Sequence, residues 1–253
     1  VGSGAASVIS SLTNAVLGGA IGDVVETVIV FGAASLGYFP PPSEKQFEHY
    51  LMGHTSIVIA MAEKAQVDEA NSSQRKLQEA VDKNGLKTYF NPKIAFVTGP
   101  ANAKKTFVEF FDYNCAHCRN SYPLVQKFYN AHKGDTRFAF IELPIFGEAS
   151  NNAARAALAA RRQPDKYVAF HFAMMGEDGA INPSSMIDAA QKAGLDINKL
   201  TADVKDPALN KEMAAAHALA ARSGVQGTPF FILNGQAHEG EVDESMLKAL
   251  FKS

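Results

Sequence analysis

The two cysteines of the chain, Cys115 and Cys118, are the only ones among its 253 residues. Two residues separate them, so the thiols can close into a disulfide and reopen with little movement of the backbone. The residues before them, 106–112, read as a buried strand, and those after them, 121–130, read as an amphipathic helix. A C-x-x-C pair where a strand passes into a helix is typical of thiol–disulfide exchange.

The position of Cys115 predicts that it is the nucleophile. Attack on a disulfide requires a thiolate, and a helix N-terminus favours negative charge through its dipole and its free backbone N–H groups. His117, between the cysteines, is expected to add positive charge or a hydrogen bond to that thiolate. Cys118, one turn inward, is then the resolving thiol. We therefore expect the pKa of Cys115 to lie well below that of an ordinary thiol.

A carboxyl group, Glu109, interrupts an otherwise apolar strand six residues before Cys115. An acid buried behind a dithiol could relay protons during exchange, so we expect Glu109 to belong to the catalytic group. Strand alternation alone leaves its face undecided. A side chain that reaches water is the alternative interpretation.

The tripeptide Gly227-Thr228-Pro229 precedes the apolar run 230–233. A proline that enters a strand restricts pairing there and is a candidate for a cis peptide bond. The alternative is a simple loop stop, which is the commoner fate of an isolated proline. Asn234-Gly235, directly after the run, indicates a β-hairpin.

Composition and charge argue against several classes of protein. A net charge of −2 gives no electrostatic reason to expect nucleic acid as a partner. Asp23 and Glu26 interrupt the apolar residues 5–39 and disfavour a membrane span there. A single C-x-x-C falls short of the roughly four ligands of a structural zinc site, so no resident metal is predicted. Because no basic residue occurs before Lys45, we expect that any export signal has already been removed.

The N-terminal part of the chain is predicted to be helical. Ser43 and Gln46 form a candidate capping box for a helix that runs to about residue 70, and a shorter helix is predicted over 73–83. An apolar seam repeats along the first helix at spacings of four and three, at Phe47, Leu51, His54, Val58, Met61 and Ala65. Such a seam predicts a homo-oligomer assembled through residues 1–70. The alternative is that these segments fold back onto their own domain as extra core.

The patterns after residue 90 indicate a separate α/β domain that extends over residues 91–253. Short strands flank the helix that follows Cys115, and a block rich in alanine, about 149–223, is predicted to contain four or five helices. A hairpin and a last helix over 243–252 close the domain. Residues 1–90 then form a helical oligomerisation region and linker.

Two motifs in the correct order carry a resemblance to a known family. The segment Glu109-Phe-Phe-Asp-Tyr-Asn-Cys-Ala-His-Cys118, with Gly227-Thr-Pro-Phe-Phe-Ile-Leu233, resembles the DsbA-like thiol–disulfide oxidoreductases over roughly residues 90–253. The resemblance implies a thioredoxin-like fold with a helical insertion, a redox-active Cys115–Cys118 disulfide and no other cofactor. It also implies a cis Thr228–Pro229 bond that faces Cys115 and pairs with substrate, and export to the periplasm.

The chain departs from the usual DsbA pattern in three ways, which indicate a subgroup of the family. Ala116 stands where that family usually has proline, Thr228 precedes the proline as in the isomerases DsbC and DsbG, and about 90 residues precede the domain. In these respects the chain resembles the ScsC (suppressor of copper sensitivity) proteins and their trimeric relatives. That resemblance implies a trimeric, periplasmic disulfide isomerase that acts on misoxidised exported proteins and is kept reduced by a membrane-bound thiol reductant.

Assembly of several copies would favour isomerisation. An isomerase must hold its client while one thiolate attacks and a different client thiol resolves, and several sites around one cleft raise the effective concentration of that second encounter. A DsbA-type oxidase remains an alternative. So does a chaperone or copper-binding protein without turnover, in which the soft sulfurs of Cys115 and Cys118 hold Cu(I).

Overall fold

The structure of the protein is a computed structural model that describes residues 43–249. These residues belong to two compact units that are divided between Asn71 and Ser72. The predictions for residues 1–42 lie outside the described residues. Within 43–249, no helix combines the length and apolar character that a bilayer span requires.

The first unit begins with helix α1, Glu44–Gly53, and its predicted cap is confirmed. The Ser43 hydroxyl accepts the backbone N–H of Gln46 at 3.4 Å, and the Gln46 side chain accepts the backbone N–H of Ser43 at 2.9 Å. These reciprocal bonds satisfy donors that the first turn of a helix otherwise leaves unpaired.

The predicted division of this helical region is wrong. The chain leaves the helix at His54 and helix α2 then runs without a break over Thr55–Asn84, through the predicted gap near residue 71. Gly53 weakens the helix at the observed break, because glycine disfavours a helix more than any other residue except proline. Ser72 and Ser73 are only weakly unfavourable, so the helix formers on either side carry α2 through them.

The second unit contains one five-stranded mixed sheet of thioredoxin-like topology, in the order β1-β3-β2-β4-β5. Strands β2 and β3 are parallel, and every other neighbouring pair is antiparallel. The strands are β1 (Phe96–Thr98), β2 (Lys105–Phe111), β3 (Thr136–Glu142), β4 (Phe230–Leu233) and β5 (Gln236–Glu239). The predicted α/β fold with a helical insertion is confirmed.

Helices lie before, between and after these strands. Every residue between β3 and β4 is described, and five α-helices occur there, within the predicted range of four or five. The helices are a 3₁₀-helix (Leu86–Phe90), α3 (Ala116–His132), α4 (Glu148–Ala160), α5 (Pro164–Met175), α6 (Pro183–Lys192), α7 (Ile197–Asp203), α8 (Ala208–Arg222) and α9 (Glu244–Ala249).

Strand β2 is apolar on both faces because both faces of the sheet are covered. Phe107 and Phe111 point into a core that also contains Cys115 and Cys118. Val108 and Phe110 point into a second core on the opposite face. Since side chains alternate along a strand, Glu109 shares the face of Phe107 and Phe111 and therefore points towards the dithiol.

The C-terminal part of α2 belongs to the unit that contains the sheet. Gln78 donates to the carbonyl of Gly235 at 2.8 Å and accepts the backbone N–H of Ala237 at 2.9 Å, while Gln74 donates to the Ala237 carbonyl at 2.7 Å. These amides occupy backbone groups beside the edge strand β5. The compact unit therefore includes residues 72–90, which the sequence analysis assigned to the N-terminal region.

The predicted hairpin joins β4 to β5. Asn234 and Gly235 form its turn with positive φ values of 50° and 84°. Two positive φ values match the twist of the flanking strands and explain why the Asn-Gly signal was informative.

Candidate active site

The dithiol lies where β2 ends and α3 begins. Cys115 is the N-cap residue of α3, and Cys118 lies in the first turn of that helix. The Cys115 backbone N–H donates to the Asp112 carbonyl at 3.1 Å, and the Asn114 N–H donates to the Asp112 carboxylate at 2.8 Å. This Asx-type turn aims the free N–H groups of α3 at the first sulfur.

Asp112 also fixes a neighbouring loop, which the sequence analysis did not predict. Its second carboxylate oxygen accepts the backbone N–H groups of Ile145 at 2.7 Å and Phe146 at 3.2 Å. Asn114 accepts the N–H of Ile181 at 2.8 Å in the same way. The only sequence signal was an acidic residue at the end of a buried strand, and it carried no information about these distant partners.

Cys115 is buried, and its sulfur lies 3.1 Å from the carbonyl oxygen of Thr228, to which the protonated thiol donates. Its pKa is lowered to about 5. The hydrogen bond from the Cys118 thiol is the largest cause, and the side chain of Thr228 and the backbone N–H groups of Cys118 and His117 add to it, against the opposing effect of burial. These donors favour the thiolate, as expected for a sulfur at a helix N-terminus.

The pKa of Cys118 is shifted in the opposite direction to that of Cys115. It is fully buried, and burial raises its pKa far above that of an ordinary thiol. Its hydrogen bond to Cys115, the negative charge of Cys115 and, once Glu109 is ionised, the charge of that carboxylate raise the pKa further. Near neutral pH the pair is therefore one thiolate and one thiol, joined by a hydrogen bond.

Glu109 is buried, with 2% of its surface exposed, so the alternative in which its side chain reaches water is wrong. Burial raises its pKa to about 8. Its Oε2 atom has no hydrogen-bond partner among the described residues. A protonated carboxyl group thus lies behind Cys118, but its role as a relay stays a prediction.

His117 does not make the expected side-chain bond to the thiolate. Its ring is 70% exposed and its Nδ1 atom bonds to a carboxylate oxygen of Glu241 at 2.6 Å. This bond raises the pKa of His117, and the nearby charge of Cys115 raises it further. The backbone N–H of His117, rather than its ring, contributes a hydrogen bond to Cys115.

The peptide bond between Thr228 and Pro229 is cis, as the family resemblance implied. It lies at the start of β4, and the Thr228 carbonyl faces the Cys115 sulfur. A Cβ atom at Gly227 would meet no atom within 4 Å, so the structure gives no steric reason for glycine there. Substrate binding by Gly227, Thr228 and Pro229 remains a prediction.

Metal-ligating side chains do not cluster in the described part of the chain. Residues 43–249 contain no group of three or more histidine, cysteine or acidic side chains that could hold an ion. The copper alternative therefore relies on the two sulfurs of Cys115 and Cys118.

The family model and the similar solved structures point to the same family. The model of the DSBA-like thioredoxin domain matches residues 106–252. A thioredoxin-like oxidoreductase from Silicibacter pomeroyi DSS-3 is 40% identical, with a TM-score of 0.58 over 65% of this chain and 93% of that one. The catalytic domain of Proteus mirabilis ScsC is 26% identical, with a TM-score of 0.60 over 69% of this chain and 96% of that one.

Curated relatives differ in length. Disulfide bond formation protein D of Bacillus subtilis is 28% identical over 167 residues, which are 60% of this chain and 73% of that protein. A Na⁺/H⁺ antiporter NhaA of Herminiimonas arsenicoxydans is 29% identical over 164 residues, 64% of this chain. The chain spans about a quarter of the length of such antiporters.

Replacing Cys118 with alanine should raise the pKa of Cys115 well above 5, because it removes the hydrogen bond that contributes most to stabilising the thiolate. The ultraviolet absorbance of the thiolate, titrated with pH in the reduced protein, measures this shift. Cys118→Ser is the matched control, since its hydroxyl can still donate and should leave the midpoint closer to that of the parent protein. An alanine variant that titrates at or below the parent midpoint contradicts this assignment.

Proposed function

We propose that this protein, which belongs to the DSBA-like thioredoxin domain family, is a periplasmic disulfide isomerase. The observation that carries the exchange chemistry is the opposite displacement of the two thiol pKa values, with Cys115 at about 5 and Cys118 far above the ordinary range. Such a pair provides a nucleophile that is ionised at neutral pH and a second thiol that stays in reserve.

The first step is attack by the Cys115 thiolate on a client disulfide. A bond forms between Cys115 and one client sulfur, the client S–S bond breaks, and the second client sulfur leaves as a thiolate. In isomerisation, a different client thiolate then attacks the client sulfur of the mixed disulfide, which forms a new client disulfide and releases the Cys115 thiolate. The sequence of steps consumes no oxidant and no reductant.

Cys118 and Glu109 release a client that does not rearrange from its mixed disulfide with Cys115. Cys118 attacks the mixed disulfide, which forms the Cys115–Cys118 disulfide and releases a reduced client. Cys118 must first lose its proton, and a buried carboxyl whose pKa is about 8 is suited to exchange one near neutral pH. The oxidised site then needs two electrons from a thiol reductant, which we place at the membrane.

Assembly is what favours isomerisation over simple oxidation. In the first unit the seam predicted from the sequence carries large apolar side chains that water would contact in an isolated chain, with Met61 65% and Val58 45% exposed. Apolar patches of this kind mark interaction surfaces more often than free surface. We propose that further copies of the chain cover this seam and form the trimer, so that several dithiols serve one client.

DsbA-type oxidation is the second candidate function. A thiolate stabilised to a pKa of about 5 also stabilises the reduced protein and so makes the disulfide more oxidising. The chemistry of one site therefore suits an oxidase as well, and the number of sites per assembly decides between the two.

Refolding of scrambled ribonuclease distinguishes these functions. The reduced protein should restore ribonuclease activity from the scrambled form, and Cys115→Ala should abolish this because the attacking sulfur is lost. An oxidase acts on reduced ribonuclease alone, and a chaperone or copper carrier acts on neither form. Activity that survives Cys115→Ala contradicts the assignment of the nucleophile.

A charge on the seam tests assembly. Val58→Asp should lower the mass of the full chain measured by light scattering from that of a trimer towards that of a monomer, because a carboxylate is costly to bury between copies. Ala60→Asp adds the same charge at an exposed position about half a helical turn away from Val58 and should leave the mass unchanged. A monomeric parent protein, or a Val58→Asp variant of unchanged mass, contradicts the proposed seam.

A further inference from the structure

Glu241 is a carboxylate at the dithiol that sequence analysis did not predict. It follows β5, and its Oε1 atom accepts hydrogen bonds from His117 Nδ1 at 2.6 Å and from Asn120 Nδ2 at 3.0 Å. Both donors lie in the first turns of α3. A side chain from the C-terminal part of the chain is thus bound to the helix that carries the two cysteines.

The backbone around Glu241 is fixed to the other half of the site. The N–H of Gly240 donates to the carbonyl of Pro229 at 3.0 Å, directly after the cis bond. The ring of His238 bonds to the carbonyl of Glu241 at 2.8 Å. Glu241 therefore connects the strand that begins at the cis-proline with the N-terminus of α3.

The imidazole of His117 faces two negative groups. Glu241 supplies the first, from the segment after β5, and the Cys115 thiolate supplies the second, from the N-cap of α3. The other charged groups of that segment have different partners: Asp243 binds Ser245 and Met246 at its own helix start, and Glu244 pairs with Lys127 and Lys248. Glu241 is thus the carboxylate that is hydrogen-bonded to this ring.

Without such a partner, an imidazole that is 70% exposed would change rotamer freely and lose its charge near pH 6.5. A carboxylate at hydrogen-bond distance keeps the ring protonated to higher pH and restricts it to one orientation. The restriction matters because the interaction between the ring and the Cys115 thiolate depends on their separation.

We propose that Glu241 is a positioning residue that holds the charged imidazole of His117 beside Cys115. The inference rests on the proposed exchange function, and it identifies Glu241 as the group that keeps the imidazole of His117 charged next to the dithiol. Since coupling between two sites is reciprocal, the charge on Cys115 must be visible in the titration of His117.

The test is the pKa of His117, measured by NMR in the reduced and in the oxidised protein. In the parent protein we expect a pKa above the ordinary value of about 6.5, and a higher pKa in the reduced form, where Cys115 is a thiolate. Glu241→Gln should lower the pKa of His117 in both forms. It should also shrink the difference between them, because the ring is no longer held.

Glu239→Gln is the matched control. It removes the same charge from the last residue of β5, an exposed side chain, and should leave both pKa values of His117 unchanged. An unchanged pKa in Glu241→Gln contradicts the bond. A pKa that falls while the reduced–oxidised difference keeps its full size contradicts the positioning role. Neither outcome depends on isomerase activity, so a failure in the ribonuclease assay would remain distinguishable.

Discussion

The structure depends on the unequal environment of two sulfurs that lie one helical turn apart. Cys115 receives hydrogen bonds that favour its thiolate, whereas Cys118 is enclosed in the core and stays protonated. Each state supports the other, because the protonated thiol of Cys118 is the strongest single donor to the Cys115 sulfur. A second charge cannot form beside the first without a large cost of desolvation and repulsion.

The fold produces this inequality through β2. Both faces of this strand are buried, so the first turn of α3 that packs on it places Cys118 among aromatic side chains. The same packing buries Glu109 and raises its pKa to about 8. At the end of the strand, Asp112 and the cis-proline segment define the small space in which Cys115 contacts the Thr228 carbonyl.

Much of this site follows from local sequence. The change from a strand pattern to a helix pattern around Cys115 identified the N-cap, and Asn234-Gly235 identified the hairpin. In contrast, the bonds of Asp112 to the loop after β3 and of Glu241 to His117 join residues 33 and 124 positions apart. No local periodicity encodes such pairs. The break at His54 was missed because the apolar seam continues through it while the backbone does not.

The most direct test of this asymmetry compares the free energy of unfolding of the reduced and oxidised protein at several pH values. The pKa of Cys115 is lowered to about 5 in the folded reduced protein, against about 8.5 when unfolded. Its stabilisation of the reduced form is therefore lost as pH falls through 5 and grows as pH rises towards 8. We predict that the reduced protein gains stability relative to the oxidised protein as pH rises from 5 to 8; a difference in stability between the two forms that does not change over this range would contradict this.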